Sequence, residues 1–234
     1  MRLKILFICV VAFFFAACNK DEDITADMNA KISFSTDSVL FDTVFTAIGS
    51  TSRRLKIYNR NPKAINISHI KLSGESSSPF SLNINGQAVT EADLIKLNGN
   101  DSINVFVKVS INPSTQNLPF IVQDSLLFYY NGNKQKIPLV AYGQNAIFVN
   151  NSSIKSNTVW NSKLPYIIYK SVSVEENASL TLEPGTKILF HNNPPMRVKG
   201  ALIANGTIED SILFASDRLE KMYSEEPGQW NGIH

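Results

Sequence analysis

The stretch Leu182-Glu183-Pro184-Gly185-Thr186-Lys187-Ile188-Leu189-Phe190 decides how the second half of this sequence is read, because it comes round again. Leu182 to Thr186 is answered 21 residues on (203 − 182) by Ile203-Ala204-Asn205-Gly206-Thr207, and Ile188-Leu189-Phe190 is answered 24 on (212 − 188) by Ile212-Leu213-Phe214. A period in the low twenties, made of short apolar runs and glycine turns, points to a solenoid whose coils bury their apolar faces only against one another. The interior is expected to hold Leu180, Leu182, Ile188, Phe190, Val198, Leu202, Ile203, Ile212 and Phe214.

Three pieces around the repeat carry a resemblance: Ser179-Leu180-Thr181-Leu182-Glu183-Pro184-Gly185-Thr186, Val198-Lys199-Gly200-Ala201-Leu202-Ile203-Ala204-Asn205-Gly206-Thr207, and Gln229-Trp230-Asn231-Gly232-Ile233. With them, residues 172–234 resemble the opening coils of right-handed parallel β-helix proteins common on bacterial surfaces. The resemblance implies that the Trp230 segment opens a further coil. The expectation is therefore an incomplete right-handed parallel β-helix over 172–234, belonging to a longer protein, with 146–171 as a junction and N-terminal cap.

Upstream, helical periodicity is scarce. Ser102–Ile111 alternates, with Ile103, Val105, Val107, Val109 and Ile111 on one face and Phe106 the single apolar exception on the other. That is the pattern of a strand with one face in a core. Similar runs are Val39–Phe45, Leu55–Tyr58, Ala64–Leu72, Phe80–Ile84, Ser125–Tyr130 and Lys136–Tyr142. A phase change between Ile67 and Ile70 predicts a bulge, and Pro138 predicts an edge strand. Seven short strands with turns such as Asn131-Gly132-Asn133 make residues 31–145 an immunoglobulin-like β-sandwich, so the whole chain is all-β. The region is similar to cysteine-free sandwiches of the hydin-like and choice-of-anchor type, through Leu55-Lys56-Ile57-Tyr58-Asn59, Phe80-Ser81-Leu82 and Pro138-Leu139-Val140-Ala141-Tyr142-Gly143.

The chain begins with Arg2 and Lys4, an apolar run from Ile5 to Phe15, and Ala16-Ala17-Cys18. Charged, apolar, then small is the order of a secretory signal, and the run is short for a membrane span. Phe15-Ala16-Ala17-Cys18 resembles the bacterial lipobox, which implies cleavage after residue 17 and lipid attachment at Cys18, although Phe15 stands where leucine is usual. Each buried methylene of such a lipid adds about 0.8 kcal/mol of membrane affinity. Residues 1–17 are then a signal peptide and 18–30 a lipidated, flexible tether. Lys20, Asp21 and Glu22 resemble the surface-export signal of Bacteroidetes lipoproteins; a plain solvated tether is the alternative. The implied location is the outer membrane, lipid-anchored and exposed at the cell surface.

Losing residues 1–17 removes Arg2 and Lys4, leaving 20 basic residues (22 − 2) against 20 acidic ones. A neutral mature chain without a basic cluster gives no reason to expect nucleic acid as a partner; the partners expected are the membrane, through the lipid, and polysaccharide or surface proteins. Cys9 leaves with the signal, so no disulfide or cysteine metal site is expected, and no cofactor.

His69, His191 and His234 share no metal-ligand spacing. Glu209, Asp210, Asp217 and Glu220 could line a groove, but no spacing sets a pair at catalytic separation. Hence no catalytic residue is expected. Trp160, Tyr166, Tyr169 and Tyr223 are possible platforms for stacking on sugars, with a cap over the first coil as the alternative for the first three; Trp230 reads as coil packing. The loop from Arg218 to Gly228 interrupts the repeat and is the irregular surface best placed for a ligand. Ser38, Thr43, Ser102, Ser125 and Ser211 each follow an aspartate and precede an apolar residue, which resembles the O-glycosylation acceptor of exported Bacteroidetes proteins; a polar strand entry is the alternative. The function expected is a non-enzymatic envelope lipoprotein presenting a β-helix to glycans or proteins. The alternative is a polysaccharide lyase or glycoside hydrolase with catalytic coils beyond residue 234.

Overall fold

The computed structural model describes residues 23–50, 52–84, 86–113, 119–220, 223 and 225–234. Cys18, Lys20, Asp21 and Glu22 lie outside the described residues. Among the described residues the named elements are all strands, apart from one 3-10 turn at Glu75–Ser77.

Eleven strands make the first region: β1 (Ile24–Thr25), β2 (Ile32–Phe34), β3 (Val39–Phe45), β4 (Arg53–Asn59), β5 (Ala64–Leu72), β6 (Phe80–Ile84), β7 (Gln87–Val89), β8 (Glu91–Leu97), β9 (Asp101–Val109), β10 (Phe120–Tyr130) and β11 (Asn133–Gln144). One sheet runs β1-β5-β10-β11-β3 with β8 also on β5; the facing sheet runs β2-β4-β9-β6-β7. Alternation decides which side chains meet between the sheets. Val105, Val107 and Val109 of β9 are buried with Leu55 and Ile57 of β4, opposite Leu126, Phe128 and Tyr130 of β10, whereas Phe106 faces out. The fully buried Asn59 and Tyr130 have their polar groups paired. Asn59 Nδ2 donates to the carbonyls of Lys63 and Asn98 at 2.8 and 2.9 Å, and Tyr130 Oη donates to Gln135 Oε1 at 2.6 Å.

The predicted bulge is present: His69 pairs with Tyr129, but Ile67 pairs with Tyr130, so Ser68 is passed over. The edge placement predicted from Pro138 is corrected, because β11 lies between β10 and β3. Proline is tolerated there because the pairing to β3 begins only at Leu139, opposite Val39.

Ten further strands build a parallel β-solenoid: β12 (Ile147–Val149), β13 (Ser152–Ile154), β14 (Thr158–Trp160), β15 (Tyr166–Ile168), β16 (Val172–Val174), β17 (Ser179–Leu182), β18 (Lys187–Phe190), β19 (Met196–Val198), β20 (Ala201–Ala204) and β21 (Leu213–Ser216). They stack as β12-β15-β18-β21, β13-β16-β19 and β14-β17-β20, every pairing parallel. Three complete coils result, and β21 with the Met196–Ile233 bridge starts a fourth. Residues 146–171, expected as junction and cap, thus supply the first coil and the start of the second. Their strands are three residues long, too short to show a period.

The register also corrects the repeat. Ile203 lies beside Thr181, and Leu182 beside Ala204, a spacing of 22 (204 − 182). Ile188 lies beside Phe214, a spacing of 26 (214 − 188). A one-residue slip moves a side chain to the other face of a strand, so Ile203, expected inside, points outward with 42% of its surface exposed. The other eight expected interior residues all belong to the solenoid core. Gly200 is needed at the turn into β20: a Cβ there would sit 2.2 Å from the carbonyl oxygens of both Glu175 and Ala178 in the preceding coil.

Stacked coils also align polar groups. Ser153 Oγ and Ser173 Oγ donate to Glu175 Oε1 at 2.6 and 2.8 Å, and Lys199 Nζ lies 3.3 Å from Glu175 Oε2. These bonds hold the Glu175 carboxyl down at about 2. A carboxyl lowered in the fold contributes stability that is complete above its ordinary value of 4.5 and is lost as pH falls toward about 2. The melting temperature of the wild type is therefore expected to exceed that of Glu175→Gln above about pH 5. The difference should close steadily in melts taken down to pH 2.

Candidate cleft at the sandwich–solenoid seam

In β12, β15, β18 and β21 the middle residues point away from the coil interior. Phe148, Ile167, Leu189 and Ala215 occupy one register column on that outer side. Ile167 and Leu189 are nevertheless 0% and 2% exposed, because Phe45 at the end of β3 packs over them. The sandwich is therefore joined to the flank of the solenoid by an apolar contact as well as by the chain between β11 and β12.

Beside this seam a cleft of about 340 Å³ opens. One wall is β3 with Ile48 to Ser50 and Arg53; the other is two stacked solenoid turns, His191-Asn192 and Asp217 to Glu220. The turns superpose because each follows its strand by one residue: Tyr169, His191 and Asp217 come after Ile168, Phe190 and Ser216, which share a register. Backbone bonds extend the pairing, with His191 N donating to Ile168 O at 2.9 Å and Asp217 N to Phe190 O at 3.1 Å.

Their side chains form a column. The Tyr169 and His191 rings stack with centroids 4.3 Å apart and planes 6° from parallel. His191 Nδ1 lies 2.6 Å from Asp217 Oδ2, and Asn192 Nδ2 lies 3.1 Å from His191 Nε2. With Asn192 Nδ2 donating to Nε2, the ring proton sits on Nδ1 and is donated to Asp217. Burial pushes the Asp217 carboxyl up from 3.8, against the hydrogen bond that His191 donates. Along the rim, Arg53 Nη2 meets Asp42 Oδ2 at 3.4 Å, and Arg218 Nε lies 4.0 Å from Glu220 Oε2. The Arg218 guanidinium sits 3.5 Å from the Tyr223 ring centroid, within cation–π range.

The expected sugar platforms fare differently. Trp160 and Tyr166 are 8% and 5% exposed and stack on each other at 4.3 Å inside the solenoid, so neither can present a free face to a sugar. Their small turn residues read as an exposed junction, but the first coil needs them as core. Tyr169 has one face on His191, and Tyr223 has Arg218 over its ring. Trp230 packs on Phe190 and Phe214, as expected. Of the glycosylation candidates, Ser211 is exposed and Ser38, Thr43 and Ser102 are partly exposed. Ser125 is 7% exposed within β10, which closes it to modification in the folded chain. Thr43 lines the cleft.

Sequence reading missed the pairing of His191 with Asp217, which are 26 residues apart, because the fourth coil adds residues between β20 and β21. The Arg218 loop was read as ligand-facing, and its first three residues do line the cleft. Among the described residues no group of three or more His, Cys, Asp or Glu is arranged to hold a metal ion, and no helix is long and apolar enough to cross a membrane.

No family model and no curated protein matches this sequence. Solved structures do. The ASH / PapD-like domain of human CEP192 is 12% identical over 55% of this chain and 94% of its own, with a TM-score of 0.34. The E. coli chaperone DraB is 11% identical over 52% of this chain and 57% of its own, at 0.34. A family 123 glycoside hydrolase from Clostridium perfringens is 9% identical over 56% of this chain and 30% of its own, at 0.37. The fold is an immunoglobulin-like β-sandwich followed by a parallel β-solenoid.

Proposed function

We propose that this chain is a cell-envelope lipoprotein, held by lipid on Cys18 and facing outward from the outer membrane, that binds glycan or protein along its solenoid and catalyses no reaction. The observation that supports binding over catalysis is the way His191 is held. Asp217 engages one ring nitrogen, Asn192 the other, and Tyr169 covers a face. A general base needs a ring nitrogen within reach of the substrate proton, whereas a histidine clamped on both nitrogens fixes the shape of a wall. The anchoring part of the proposal rests on the charged, apolar and small residues before Cys18 and on Lys20, Asp21 and Glu22.

Expression of the full chain with radiolabelled palmitate tests the anchor. Label and membrane association should both disappear in Cys18→Ala; membrane association persisting without label would overturn it. A glycan array and a surface-protein pull-down with the soluble Cys18→Ala chain test binding. Depolymerisation of a polysaccharide by that chain would replace the binding reading with an enzymatic one.

A further inference from the structure

We propose that the cleft between β3 and the His191 and Asp217 turns is a site for one uncharged sugar ring, with Asp42, Asn192 and Arg218 on its rim supplying the hydrogen bonds. The inference rests on the binding role proposed above and gives it a place and a ligand class.

Size comes first. At about 340 Å³ the cleft is at the small end of ligand pockets, which run from ~300 to ~1,000 Å³. Its lining then selects chemistry. Ile48 and Leu219, backed by the buried Phe41 and Val44, give it an apolar component suited to the C–H face of a sugar. Two of its charges are paired, Asp42 with Arg53 and Glu220 with Arg218, and Asp217 already accepts the hydrogen bond from His191 Nδ1. A ligand with a full charge would have to compete with one of these partners.

Matched charge is not exhausted hydrogen-bonding capacity. A carboxylate offers about four lone-pair sites and a guanidinium five donors, so each rim pair retains groups for a ligand that both donates and accepts. Hydroxyls do both. Asn192 adds an exposed amide at the rim, beside the His191 ring. Arg53 Nε is buried without a partner among the described residues, and a hydroxyl oxygen entering beside it would supply the missing acceptor.

Saturation-transfer NMR on the full-length Cys18→Ala chain, with neutral gluco-, manno- and galacto-oligosaccharides and matching uronate oligosaccharides, tests the assignment. At least one neutral series should bind. Asp42→Asn, Arg218→Gln and Asn192→Gly should each weaken it roughly tenfold, the scale of one hydrogen bond to a charged group. Glycine is chosen at Asn192 because the backbone there has φ +53°. Val159→Thr, at an exposed position on β14, should leave binding unchanged. Preference for uronates, or neutral binding that survives all three cleft substitutions, overturns the site. The latter result would leave the broader binding role standing, and loss of that role would show as an empty array and an empty pull-down.

Discussion

Phe45→Ala is expected to cost about 3–5 kcal/mol and to divide one unfolding transition into two. Phe45 is 5% exposed, and its ring covers Ile167 and Leu189, outward-pointing residues of two successive coils. Removing the ring leaves a cavity and returns apolar surface to water where β3 of the sandwich reaches over the solenoid flank. Each region keeps its own interior, since Phe45 belongs to neither of the two larger core clusters. Calorimetry should therefore show the regions melting separately, and a single transition at the wild-type temperature would mean that the seam carries no coupling.

Trp160→Ala should be comparably severe, about 3–5 kcal/mol, and confined to the solenoid. Trp160 closes β14, pairs in register with Leu182, stacks on Tyr166, and its carbonyl accepts from Thr186 Oγ1 at 3.3 Å. Its loss empties the first coil and removes the surface on which the second is laid. Thermal unfolding followed by near-ultraviolet circular dichroism should show the early loss of the solenoid signal, while Trp160→Phe should recover part of the stability. A role in sugar stacking predicts the reverse: unchanged stability with lost binding.

Seven of the eleven sandwich strands were readable because alternation, as in Val105-Phe106-Val107-Lys108-Val109, decides which face is buried, whereas Ile24–Thr25, Ile32–Phe34 and Gln87–Val89 are too short to show it and Glu91–Leu97 is mostly exposed. In the solenoid, Leu180, Leu182, Ile188 and Phe190 were readable for the same reason. Ile203 was not, because two similar glycine turns align best with a slip of one residue, and one residue is enough to turn a side chain from core to solvent. The first coil escaped because three-residue strands at Ser152–Ile154 and Thr158–Trp160 carry only one or two apolar residues each. The cleft was the least legible feature. His191 and Asp217 meet only through a register whose spacing changes from 22 at Tyr166 to Ile188 (188 − 166) to 26 at Ile188 to Phe214, and the opposite wall comes from β3, more than a hundred residues earlier.

Uneven coils have a mechanical corollary. Residues added between β20 and β21 lengthen the path around the axis without altering the rise along it, since neighbouring strands stay about 4.8 Å apart whatever the turns contain. The solenoid thus behaves as a graduated ruler. Tyr169, His191 and Asp217 mark successive graduations at one lateral position, and insertions in the turns reshape the groups displayed at each mark while the marks themselves stay in place.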